Sequence, residues 1–95
     1  MKGQIFMKAV ITVTGKDTTG IIAGVSTICA ENGANIVDIS QSVLQDYFAM
    51  IMVAELEKVE IPFSEFADKL TALGKEKGLV IQTMHEDIFN SMHRI

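Results

Sequence analysis

Two polar residues, Gln45-Asp46, stand between two segments that both alternate in the manner of β-strands. A connection that short permits only an antiparallel hairpin. Residues 35–44 put Val37, Ile39 and Val43 on one side and Asp38, Ser40 and Ser42 on the other. Residues 47–56 return as a strand rich in Met, Ile and Val, with Phe48, Met50 and Met52 on a face that reads as core. Helical spacing flanks the hairpin on both sides. Ile21, Val25, Ile28 and Cys29 recur ahead of it, and Phe63, Phe66, Leu70 and Leu73 after it.

Two more strands complete the pattern, residues 9–14 (AVITVT) and 79–84 (LVIQTM). The first is apolar on both faces, which predicts a central position covered on two sides. The first helix is expected over 19–32, stopped by Asn32-Gly33, because glycine accepts the left-handed conformation past a helix end. Pro62 suits an early helical position in the second helix, which must end within 74–78. Residues 87–95 set Ile88, Phe89 and Met92 on one side of a short terminal helix. The order is β-α-β-β-α-β. A right-handed crossover makes the first two strands parallel, and the hairpin partner fits between them. The fold class is therefore α+β: a ferredoxin-like sandwich with a four-stranded antiparallel sheet and two helices on one face.

Composition bounds the function. With 48% apolar and 21% charged residues, the chain is that of a folded protein. It reads as one domain over 7–95, with residues 1–6 as an extension, since Met7-Lys8 would itself be a natural start. A domain of this size buries a modest core, which favours dimerisation. The net charge of −4 argues against direct nucleic-acid binding, which needs clustered Lys and Arg. Apolar runs are too short to span a membrane, and the single cysteine, Cys29, allows no internal disulfide. A cytoplasmic location is expected.

The stretch "GKDTTGIIAGV", residues 15–25, resembles a phosphate loop only superficially. A P-loop needs Lys-Ser/Thr after its second glycine, whereas Ile21-Ile22 follow Gly20. The dinucleotide fingerprint needs a different glycine spacing. What remains is a glycine at a helix N-terminus, where unpaired N–H groups suit a small anion such as a carboxylate. The competing reading is that Asp17 or Thr18 caps those donors internally. Asn35 opens the second strand. Because the first two strands run parallel, spacing alone leaves open whether Asn35 can meet that loop.

Catalysis has no support. His85-Glu86-Asp87 lacks the H-E-x-x-H pattern, because Phe89 stands where the second histidine belongs, and His93 sits on the tail. Cys29 lies on the apolar side of its helix, and Ser40 and Ser42 have no base at a useful spacing. No metal, cofactor or enzymatic activity is expected.

"VTGKDTTGIIAGVSTICAENGANIVDIS" resembles an ACT domain, through Asp17-x-x-Gly20-apolar and Gly33-x-Asn35-Ile36. "MKAVITVTGKDTTGIIAGVS" and "NIVDISQSVLQDYFAMIMV" look like the small stand-alone bacterial ACT proteins, which are similar to glycine-cleavage-system regulators. The resemblance implies homodimers joined into one continuous sheet, with an amino-acid ligand between subunits. It maps Lys16, Asp17, Gly20 and Ile21 to the loop and Asn35, Ile36 and Asp38 to the opposing strand. Thr19 departs from the family by replacing a proline. The function it implies is non-enzymatic sensing of an amino acid or similar metabolite. The alternative is a protein–protein interaction module with no small ligand, and any role in transcription would run through a regulatory partner protein.

Overall fold

The computed structural model describes residues 7–16 and 20–92, and of Leu44 only the backbone. The extension assigned to residues 1–6, and His93, lie outside the described residues. The elements are β1 (Lys8–Gly15), α1 (Ile21–Asn32), β2 (Asn35–Leu44), β3 (Tyr47–Glu55), α2 (Phe63–Lys77), β4 (Val80–His85) and α3 (Glu86–Met92). The strands form one sheet in the order β2-β3-β1-β4, every neighbouring pair antiparallel. This is the ferredoxin-like arrangement with the hairpin partner β3 between β2 and β1.

Alternation builds the core. Ala9, Ile11 and Val13 of β1 pair with Ala54, Met52 and Met50 of β3, and all six are buried. α1 adds Ile21, Val25 and Cys29, and α2 adds Phe66 and Leu70. Val10 points to the other face, outside this cluster, yet is only 3% exposed. Thr14 on that face is exposed. Cover on both sides of β1 therefore holds at Val10 and lapses toward Thr14. α3 contacts β1 and β4, while Ile88 and Met92 on it remain 52% and 65% exposed.

Several boundaries depart from the periodicity. α1 begins at Ile21 rather than Thr19, because Gly20 takes the cap position with φ 74°. Pro62 precedes α2 with an extended ψ of 148°, and its carbonyl accepts from the N–H groups of Glu65 and Phe66. β4 runs from Val80 through His85, and the terminal helix opens at Glu86. The stop at Asn32-Gly33 is as expected: Gly33 has φ 83°, and Ala34 N–H reaches back to Cys29 O at 2.8 Å.

The β2 register carries a correction. It shifts between Ile36 and Asp38, leaving Val37 as the extra residue of a bulge. Ile36 and Ile39 therefore share the helix-facing side, opposite Ala54 and Met52. Val37 does not belong to the alternating set of Ile39 and Val43.

The hairpin turn holds Gln45 at φ 55°. An L side chain there is strained by ~1–2 kcal/mol, partly offset in a glycine by greater unfolded-state entropy. Gln45→Gly is expected to raise the melting temperature by about 2–4 °C, a net gain near ~0.5 kcal/mol. Calorimetry showing a lower melting temperature would contradict this account of the turn.

Candidate ligand-binding site

The two groups of site residues stand at opposite ends of the sheet. Gly15 pairs with Phe48 at one end of β1, from which the chain leads by Lys16 toward Gly20 and α1. At the other end, Glu55 pairs with both Lys8 and Asn35. From Lys8 to Gly15 the strand runs about 23 Å at the usual rise per residue. Within one chain, Asn35 and Gly20 cannot touch the same small ligand.

At the loop end, α1 starts from left-handed Gly20 with, among the described residues, no side-chain cap hydrogen bond, and with no acidic residue in its first turn. Its leading N–H groups carry the partial positive charge of a helix start. Asp17 and Thr18, the expected ligand and cap residues, lie outside the described residues, as does Thr19. A Cβ on Gly20 would sit 3.9 Å from Lys77 Nζ, so the last turn of α2 brings a cation beside the α1 start. Lys16 is exposed and holds its Nζ 5.5 Å from the centre of the Tyr47 ring. Ile21 is 1% exposed and belongs to the core. Its side chain is spent on packing.

At the far end, Asn35 Nδ2 donates to Glu55 Oε1 at 3.2 Å. Both residues line a cavity of about 190 Å³ with Gly33, Glu57 and Lys58. Asp38 pairs with Val53 on the same sheet face as Asn35 and is exposed. Ile36 turns the other way and packs against the core, so it does not join Asn35 and Asp38. Sequence reasoning missed Glu55 and Lys77. Each is brought to the site by tertiary pairing.

The remaining chemistry is quiet. His85 stacks on Phe63 with ring centres 4.0 Å apart. Among the described residues, no three metal-ligating side chains converge. Burial pushes the Cys29 thiol up to about 11, away from the reactive thiolate. No helix among the described residues is long and apolar enough to cross a membrane.

A βαββαβ sandwich whose helix starts from a left-handed glycine and whose second strand opens on asparagine defines a class. The chain belongs to the ACT domain family, whose model matches residues 8–84. More narrowly, it is one of the UPF0237 proteins. That of Clostridium acetobutylicum is 51% identical over 89 residues, covering 94% of this chain and 100% of the relative. An ACT domain protein from Streptococcus pneumoniae superposes with a TM-score of 0.76 at 43% identity, over 87% of this chain and 93% of that one. A structure described as a candidate glycine cleavage system transcriptional repressor shares the fold. Its TM-score is 0.70 at 23% identity, over 86% of this chain and 47% of its own.

Proposed function

We propose that this protein is a non-enzymatic regulatory module that senses an amino acid or similar small metabolite between two copies of the chain. ACT domains are commonly regulatory modules that bind small molecules. The observation that carries the reading is the separation of Asn35 from Gly20 along the sheet, combined with the outer edge of β2, which is unpaired among the described residues. Two copies joined antiparallel along β2 bring Asn35 of one beside the Leu44 end of the other. That is the end bearing Lys16 and Gly20. The α1 start and Lys77 then meet a ligand carboxylate, and the Asn35 side-chain oxygen of the second copy meets its ammonium.

The first test is a thermal-shift panel of the twenty amino acids. Binding to the native state raises the melting temperature by mass action. Asn35→Ala is expected to weaken the stabilising amino acid by roughly 1–2 kcal/mol in calorimetry, through loss of a hydrogen bond to a charged group. Gly20→Val is a poorer probe, because its positive φ strains the backbone whatever the ligand does. Exposed Ile88 and Met92 favour a second reading, a protein-docking module without a small ligand. A panel in which none of the twenty shifts the melting temperature would select it.

A further inference from the structure

Every amide side chain has one donor end and one acceptor end, and which end faces a ligand decides what charge it can bind. For Asn35 the donor end is engaged: its Nδ2 donates to Glu55 Oε1 at 3.2 Å across the β2–β3 pair. The contact joins neighbouring positions on one sheet face, and both residues line the same cavity. With Nδ2 turned to Glu55, Oδ1 is the end left for another partner. Glu55 is half-buried as a residue, and its carboxylate is fixed by this contact at the surface. Its second oxygen remains an acceptor. We infer that Glu55 is the positioning and ammonium-selecting residue of the site: it orients Asn35 Oδ1 outward and joins it in binding a primary ammonium group.

This inference rests on the amino-acid reading above, and it adds a specific consequence. The Asn35 end selects for a positively charged nitrogen, and a carboxylic acid lacking one gains nothing from Glu55. Glu55→Gln keeps an oxygen able to accept from Asn35 Nδ2 but removes the charge. Glu55→Ala removes both. The three proteins therefore separate orientation from charge.

The probes are the amino acid giving the largest thermal shift among the twenty and its counterpart with hydrogen in place of the amino group. Glu55→Ala is expected to weaken the amino acid roughly ten- to hundredfold. Glu55→Gln should weaken it less, and the des-amino acid should bind all three proteins equally. The ligand-free protein gives an independent readout, the side-chain amide resonances of Asn35. They should differ between the wild type and Glu55→Gln, because the charge beside the amide is lost. Undiminished amino-acid binding by Glu55→Ala overturns this inference and leaves the sensing reading standing. Equal weakening of the des-amino acid overturns the ammonium role, as does an Asn35 amide indifferent to Glu55→Gln for the positioning role. Failure of all twenty amino acids to bind the wild type overturns the sensing reading and the ammonium role together.

Discussion

Phe66→Ala is expected to cost about 3–5 kcal/mol of stability, the usual loss for truncating a fully buried aromatic ring. Phe66 is completely buried on α2, within the cluster that joins both helices to β1 and β3. In α2 itself, a Cβ on Gly74 would lie 2.9 Å from Leu79 O, so the helix already rests directly on the start of β4. A helix that close to the sheet cannot sink further into the void a missing ring leaves. Small domains have only about 5–15 kcal/mol in total, so the variant should melt far below the wild type. Denaturant unfolding at matched slope measures the difference. Phe63→Ala is the comparison, since that ring is only partly buried and stacks on His85. If Phe63→Ala lost as much as Phe66→Ala, burial would not be what ranks these two rings. The loss at Phe66 also reaches the site, because α2 carries Lys77 to the start of α1.

The fold was legible because its signals are local and mutually consistent. A two-residue break forces a hairpin, and the flanking 3.6-residue spacing forces helices whose apolar sides must face the same sheet. Gly33 stops α1 in the left-handed backbone conformation that glycine accepts at a helix end. The site was less legible, and the bulge at Val37 explains why. Counting back from the pair Leu44–Tyr47 without a bulge sets Asn35 opposite Leu56 and on the other face from Asp38. The extra residue instead sets Asn35 opposite Glu55 and on the same face as Asp38. No alternation rule reveals that slip, because Ile36, Val37 and Ile39 are all apolar and tolerate either phase. The contribution of Lys77 is hidden for a different reason. It depends on how α2 lies against α1, which periodicity does not encode. Ile21 is a different case: the resemblance places the residue in the loop group, and only the structure shows that its side chain packs in the core.

Ile39→Lys combined with Val43→Lys is expected to convert a dimer into a monomer at micromolar concentration and to abolish the amino-acid thermal shift. Both residues point to the helix-facing side of β2, yet they are 40% and 69% exposed. The helix layer of one chain leaves them uncovered, on an edge strand that pairs, among the described residues, with β3 alone. The edge is ten residues long with no Pro and no Lys, and its bulge at Val37 and charge at Asp38 lie toward one end, leaving residues 39–44 in regular register. Pairing two copies along it extends the sheet and buries these side chains together. Lysines at both positions would put four uncompensated charges into that seam, each costly to desolvate. Within one chain both sites are solvent-accessible, so the variant monomer should keep its stability to within about 0.5 kcal/mol. Sedimentation of the wild type should give twice the chain mass, and of the double variant the chain mass alone. Asn35→Ala supplies the opposite pattern, an intact dimer with weakened binding. The two results together distinguish a lost assembly from a lost ligand contact. A wild type that sediments as a monomer and still binds an amino acid would remove β2 pairing from the mechanism, since Gly20 and Asn35 would then have to act separately.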